Sequence, residues 1–232
     1  MRLLTIIPAL LLIFACQDDD DMLTTRPEVA ENLNISYLAL GDSYTIGTSV
    51  DMRDRWPIQL AKALRQDSIT VTQQAIIATN GWTTSELKAG IAAADLTQTF
   101  DLVSLLIGVN NQYRGQPLAG YQTEFEELLN TAIQLAGGDT SRVFVVSIPD
   151  YAYTPFGGGR EEISTELLRF NAAASVIAND YNVPFLNITP ISQQGLDDPE
   201  LVATDNLHPS GKQYKRWVDE VILQAVIDIL RG

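Results

Sequence analysis

Two residue types that often serve in active sites are nearly missing from this chain of 232 residues, which has one cysteine, Cys16, and one histidine, His208. A single cysteine excludes an intramolecular disulfide and any metal site built on cysteines. Any reaction that needs an imidazole must use His208. Because only scattered carboxylates remain as ligands, we expect neither a metal nor another cofactor.

Positive charge is also scarce. Fifteen lysines and arginines stand against 29 aspartates and glutamates, which gives a formal net charge of −14. A field of that sign repels phosphate backbones, so we expect no nucleic-acid partner. Hydrophobic residues make up 46% of the chain and charged residues 19%. This composition and length are typical of one globular domain.

The apolar run at the N-terminus, residues 3–14, is too short to span a bilayer and follows Arg2, as in an export signal. It ends in Ile-Phe-Ala-Cys, which resembles the lipobox of bacterial lipoproteins, where the cysteine becomes the acylated first residue. The resemblance implies a signal peptide over residues 1–15 and a lipid anchor at Cys16. It also implies a location in the cell envelope of a Gram-negative-type bacterium, at the outer membrane. An ordinary secretory signal with an incidental cysteine is the alternative.

Residues 16–34 are interpreted as an acidic tether and residues 35–232 as the folded domain. Four consecutive aspartates at positions 18–21 keep the tether solvated and extended. Acidic runs directly after a lipidated cysteine resemble the surface-export signals of some Gram-negative lipoproteins, whereas a plain spacer is the other interpretation. Either face of the outer membrane is compatible with this pattern, and nothing in it specifies an oligomeric state.

From Ile35 onward, short apolar runs alternate with segments of helical periodicity. Five strands are predicted, at residues 35–40, 69–77, 102–107, 143–148 and 183–188. Five helices are predicted between and after these strands. The first begins at Pro57 and the second at the capping pair Thr83 and Glu86. The third contains Phe125 and ends at Gly137, the fourth covers residues 163–180, and the last includes residues 218–229. This order predicts an α/β fold, a three-layer α/β/α sandwich around a five-stranded parallel sheet. Ligands bind such sheets beyond the carboxyl ends of the strands, so the loops there should form the site.

Two motifs in those loops carry candidate catalytic residues. Gly41-Asp42-Ser43 directly follows the first strand, which leaves the Ser43 hydroxyl free at a turn. Asp205 precedes His208 by three residues, a spacing at which the carboxylate can accept from Nδ1–H while Nε2 faces outward. A serine hydrolase needs this arrangement. Taken singly, Ser43 could instead cap a helix and His208 could be a surface residue.

Two further turns offer donors for a developing oxyanion. The Gly81 N–H follows the second strand, and the side-chain amide of Asn110 follows the third. Asparagine and glycine also favour turns for purely conformational reasons, which is the alternative explanation of both positions.

These motifs together resemble the SGNH, or GDSL-type, esterase and lipase family over about residues 35–230. The matching blocks, in order, are Gly41-Asp42-Ser43, Gly81, Gly108-Val109-Asn110 and Asp205-Asn206-Leu207-His208. The resemblance implies the flavodoxin-like SGNH hydrolase fold and a triad of Ser43 as nucleophile, His208 as general base and Asp205 as its orienting partner. It also implies an oxyanion hole made by the N–H groups of Ser43 and Gly81 and the Asn110 side chain.

One position departs from the family pattern, because the third block usually ends in aspartate and here it ends in Asn111. The family gives that carboxylate no triad role, so the departure concerns the local turn. The competing α/β-hydrolase family needs Gly-x-Ser-x-Gly, but Ser43 is followed by Tyr44 and Thr45, which excludes it.

Aromatic residues near the predicted site are candidates for substrate binding. Tyr151, Tyr153 and Phe156 follow the fourth strand, and Tyr113 follows the third. Such a wall would stack on a sugar or cover an acyl chain, whereas a loop that merely covers the core is the alternative.

The expected function is therefore hydrolysis of a small-molecule or glycan ester through an acyl-enzyme, with short-chain or O-acetyl esters as substrates. Two alternatives stay open. The same site would suit a lysophospholipid or a thioester, and a protein without activity would be a lipid-anchored, glycan-binding module at the cell surface.

Overall fold

The computed structural model describes residues 31–232. The predicted signal peptide, the lipidation site Cys16 and the tether up to residue 30 lie outside the described residues. The first strand begins at Leu33, two residues earlier than predicted, because the Leu33 N–H donates to the Ser68 carbonyl at 2.9 Å. Within residues 31–232, no helix combines the length and the apolar character needed to cross a membrane.

Five parallel strands form one sheet in the order β2-β1-β3-β4-β5. They are β1 (Leu33–Gly41), β2 (Ile69–Ala78), β3 (Leu102–Leu106), β4 (Val143–Val146) and β5 (Phe185–Leu186). This confirms the predicted α/β fold. The edge strand β5 is shorter than the predicted 183–188, because Ile188 N–H donates to the Ser147 hydroxyl and a helix begins directly afterwards.

The α-helices of the described chain lie in the connections between successive strands and in the segment after β5. They are α1 (Ser43–Ile46), α2 (Trp56–Leu64), α3 (Thr84–Ala93), α4 (Val109–Tyr113), α5 (Leu118–Leu135), α6 (Glu161–Asp180), α7 (Thr189–Ser192), α8 (Gly211–Trp217) and α9 (Leu223–Arg231). The predicted capping box forms, with the Glu86 carboxylate accepting from Thr83 N–H at 2.7 Å. The last helix begins before the predicted segment, at Gly211, because the Ser210 hydroxyl caps it. A π-helical turn over Val218–Ile222 joins α8 to α9.

The helices form two layers: α2 contacts α8 and α9 in one, and α5 contacts α3 and α6 in the other. Strands β1 and β3 lie at the centre of the sheet, and their side chains Leu38, Leu40 and Leu105 are fully buried. Burial of apolar area, worth roughly 25 cal/mol per Å², stabilises this arrangement. The central strands therefore hold the loops after their carboxyl ends on a rigid base.

Candidate active site

Ser43 is the first residue of α1 and follows β1 through a tight turn. Asp42 caps the helix, since its Oδ1 accepts from Tyr44 N–H at 3.0 Å, so the Ser43 hydroxyl is not used for capping. Glycine is required at position 41, because a Cβ there would lie 2.1 Å from Thr45 Oγ1 and 2.6 Å from the Leu106 carbonyl oxygen. The turn thus presents a serine hydroxyl at the carboxyl edge of the sheet.

Asp205 and His208 lie in the loop that precedes α8. Asp205 Oδ2 is 2.6 Å from His208 Nδ1, and Asp205 Oδ1 accepts from the backbone N–H groups of Leu207 and His208 at 3.0 and 2.9 Å. Asn206 between them has a φ of +66°, which closes the turn. The carboxylate therefore fixes the plane of the ring and leaves Nε2 as its free nitrogen.

The charge on Asp205 is well stabilised. Partial burial alone would raise its pKa, but hydrogen bonds from the Ser49 hydroxyl and from the backbone and ring of His208 outweigh that effect and hold the pKa at about 2. The group is ionised throughout the neutral range. It can therefore stabilise a positive charge on the adjacent imidazole.

A cavity of about 240 Å³ opens at this edge of the sheet and is lined by both Ser43 and His208. Its other lining residues are Tyr44, Asn80, Val109, Asn110, Tyr113, Tyr151, Phe156 and Leu207. Residues that follow each of the five strands thus meet here, as expected for the carboxyl edge of a parallel sheet. Tyr153 does not line this cavity, because its side chain lies along a second cavity beside α6, with Glu161 and Leu168.

Besides the Ser43 N–H, two oxyanion donors are predicted: Gly81 lies in the turn after β2, and Asn110 lies in the first turn of α4. Asn110 Nδ2 donates to the Trp82 carbonyl at 2.9 Å, and an amide nitrogen carries two hydrogens, so one remains for a ligand. Gly81 adjoins the lining residue Asn80 and has a φ of +83°, a conformation that favours glycine. Arg114 donates to the Gly81 carbonyl at 2.5 Å and thereby fixes this turn to α4.

Asn111, which departs from the family pattern, points away from the cavity and is buried. Its Oδ1 accepts from Thr84 N–H at 3.1 Å, and its Nδ2 donates to the Thr84 hydroxyl at 2.6 Å and to Gln116 at 2.8 Å. The Thr84 hydroxyl donates its own hydrogen to Glu124, so its oxygen can only accept from the side chain at position 111. An amide fits this network, whereas a carboxylate would lack the hydrogens.

Two contacts at the site have no counterpart in the sequence-based predictions. Arg114 follows Asn110 by one helical turn, and the predicted oxyanion hole puts Asn110 close to Gly81. These two expectations together could have indicated the contact between Arg114 and Gly81. The bond from Ser49 to Asp205 joins residues 156 positions apart, and no local pattern indicates it.

Asp42 is completely buried, and that burial raises its pKa to about 7, against the opposing effect of backbone hydrogen bonds from Tyr44 and Gly108. Its Oδ2 has no hydrogen-bond partner within the described residues. Between about pH 4 and 7 the folded protein therefore binds a proton that the unfolded chain releases. The stability contributed by the neutral acid is full below about pH 4 and is lost as the pH rises to 7.

We expect Asp42→Asn to remove this pH dependence, because the amide oxygen can still accept from Tyr44 N–H but carries no charge. The wild type should lose up to about 1.4 kcal/mol of unfolding free energy per pH unit across that window, relative to the variant. Urea unfolding at pH 5 and pH 8 measures this difference. A variant that changes stability by the same amount at both pH values would contradict the buried titration.

The sequence profile of the GDSL-like lipase/acylhydrolase family matches residues 39–216, which is most of the chain. No curated protein matches the chain. Solved structures do match. The psychrotrophic esterase EstA from a Pseudoalteromonas species has a TM-score of 0.66 and 18% identity, over 87% of this chain and 100% of that one. Axe2, an acetylxylan esterase from Geobacillus stearothermophilus, has a TM-score of 0.61 and 19% identity, over 88% of this chain and 96% of that one.

A lipase/acylhydrolase from Enterococcus faecalis is similar to the same degree, with a TM-score of 0.61 and 19% identity over 86% of this chain and 94% of that one. At such identities the structural similarity shows a shared fold, and membership of the family is shown by the match to its sequence profile. The two findings agree with the motifs described above. The chain belongs to the GDSL-like lipase/acylhydrolase family, and it is an SGNH-type ester hydrolase.

Proposed function

We propose that this enzyme cleaves acyl esters through a triad of Ser43, His208 and Asp205. The observation that carries the proposal is the 2.6 Å bond between Asp205 and His208 Nδ1, on a ring that lines the same cavity as Ser43. The bond keeps the proton on Nδ1, so Nε2 can accept the Ser43 proton as Oγ attacks the ester carbonyl. The ionised Asp205 then stabilises the imidazolium that results.

The tetrahedral intermediate places a negative charge on the former carbonyl oxygen. The N–H groups of Ser43 and Gly81 and the second amide hydrogen of Asn110 are the donors proposed to stabilise it. When the intermediate collapses, the ester bond breaks and the leaving alcohol takes the proton from His208. A water molecule then attacks the acyl-enzyme by the same steps, which releases the acid and restores Ser43.

The cavity favours a small acyl group. Its volume of about 240 Å³ lies below the roughly 300–1,000 Å³ of drug-sized ligand pockets, so a long chain would have to leave it. Three aromatic rings, Tyr113, Tyr151 and Phe156, contact one another at one side of the cavity, with ring centroids 6.2–6.3 Å apart. Tyr113 is 59% exposed and Phe156 45%, which leaves their faces free for a bulky alcohol such as a sugar. The acetylxylan esterase among the structural relatives is consistent with an O-acetyl substrate.

A panel of p-nitrophenyl esters with acyl chains from acetate to palmitate, together with acetylated oligosaccharides, tests this assignment. We expect kcat/KM to be highest for acetate and to fall steadily once the chain outgrows the cavity. If kcat/KM instead rises towards palmitate, the substrate is a long-chain ester, as in the lysophospholipid alternative. Activity restricted to thioesters would likewise contradict the assignment of a short-chain ester substrate and favour the thioesterase alternative.

We also propose that the enzyme is held at the outer membrane by lipid on Cys16. The support is the lipobox-like ending of the apolar N-terminal run. Several acyl chains anchor a protein firmly, whereas one binds only marginally. Protein expressed with its own N-terminus should fractionate with membranes, and Cys16→Ala should be released or remain unprocessed. If both forms are found in the soluble periplasmic fraction, the anchor proposal fails.

A further inference from the structure

Ser49 contacts the acidic member of the proposed triad. Its hydroxyl donates to Asp205 Oδ2 at 2.5 Å, the same oxygen that accepts from His208 Nδ1. The other carboxylate oxygen is held by the backbone N–H groups of Leu207 and His208. Rotation of the carboxylate is thus restrained at both oxygens. Within residues 31–232, Ser49 and His208 are the side chains that bond to Oδ2.

The loop that carries Ser49 is anchored to the nucleophile itself. The N–H groups of Gly47 and Thr48 both donate to the Ser43 carbonyl, each at 3.0 Å. Ser49 then adopts a φ of +67°, a left-handed conformation that disfavours a residue with a Cβ, and so turns its side chain towards Asp205. The unfavourable backbone conformation of Ser49 therefore occurs at the residue whose side chain contacts the proposed triad.

We propose that Ser49 is a positioning residue, whose hydroxyl ties Asp205 to the Ser43 turn and so keeps His208 aimed at the nucleophile. The inference rests on the proposed triad. A hydroxyl suits this role because it donates one hydrogen without carrying charge, so the carboxylate keeps its full negative charge for the imidazolium. Because His208 must be held within a narrow range of geometries to accept the proton, a looser carboxylate lowers the rate of the chemical step.

The test compares two variants that remove the hydroxyl, Ser49→Ala and Ser49→Gly. Glycine accepts a positive φ freely and alanine does not, so an effect common to both belongs to the hydroxyl rather than to the backbone. Ser68→Ala is the matched control, because Ser68 also has a positive φ, +58°, but lies between α2 and β2 with no contact to the triad. We expect kcat on p-nitrophenyl acetate to fall roughly 3- to 10-fold in both Ser49 variants with KM unchanged. The control should match the wild type.

Two further measurements separate positioning from a general loss of structure. In an Asp205→Ala background, where Ser49 has no carboxylate to hold, Ser49→Ala should have no further effect on kcat. His208 is the only histidine of the chain, so its Nδ1–H proton can be assigned in the NMR spectrum without ambiguity. That low-field resonance should shift or broaden in both Ser49 variants and not in the control.

The inference is overturned if the Ser49 variants keep wild-type kcat, if they lower kcat equally with and without Asp205, or if the Nδ1–H resonance is unchanged. Its failure can be told apart from that of the proposed function. A wild-type enzyme without activity on any ester would refute the triad proposal, whereas the NMR comparison tests the contact between Ser49 and Asp205 without substrate.

Discussion

Ser43→Ala is expected to lower kcat by about four to six orders of magnitude while the fold is retained. In the proposed mechanism the hydroxyl oxygen forms the covalent intermediate and no other atom replaces it, so the loss should be nearly complete. Folding should not suffer, since the cap of α1 is the Asp42 carboxylate and Ser43 contributes no hydrogen bond to that cap.

The measurement is steady-state hydrolysis of p-nitrophenyl acetate by purified protein, with thermal unfolding to verify the fold. Ser175→Ala is a suitable control, because Ser175 lies on α6 beside the second cavity. More than a few per cent of wild-type activity in purified Ser43→Ala would remove Ser43 from the mechanism.

Asp205→Asn should lower kcat by roughly 10³- to 10⁴-fold, with a much smaller change in KM. The carboxylate can only accept from Nδ1–H, which keeps Nε2 free to take a proton. An amide can instead donate to Nδ1 and so favour the tautomer in which Nε2 already carries hydrogen. The amide also lacks the negative charge that the carboxylate, with its pKa of about 2, supplies at neutral pH.

Asp198→Asn provides the control, because Asp198 lies in the same stretch of chain but pairs with Lys212 at the surface. Removal of that exposed pair should change little, since such pairs contribute on the order of 0–1 kcal/mol to stability. A loss of less than about tenfold in Asp205→Asn would mean that His208 is oriented by other groups.

The sequence predicts the central part of the fold well, because buried parallel strands are short and almost wholly apolar. Strand β3 is an example, since each of its residues is buried. The edges are harder to predict. The apolar run at 183–188 yields only two strand residues, because pairing at a sheet edge depends on partners that the local sequence does not show, here the Ser147 hydroxyl.

The candidate site divides in the same way. Ser43, Asp205 and His208 stand in short motifs with fixed spacing, and parallel strands bring their loops to one edge. The side chains around them depend on long-range packing. Tyr153 belongs to the same aromatic stretch as Tyr151, but the 3₁₀ turn over Tyr151–Tyr153 directs the two rings to different cavities.

The central claim, that Ser43 is a nucleophile activated by His208 and Asp205, is tested most directly by reaction with a fluorophosphonate probe followed by mass spectrometry. The probe forms a covalent bond only with an activated serine, so it also separates an enzyme from a glycan-binding module with an inactive site. We predict one adduct per chain, mapped to the peptide that contains Ser43, absent in Ser43→Ala and formed far more slowly in Asp205→Asn. An unmodified wild-type protein after prolonged incubation, or an adduct on another serine, would contradict the account.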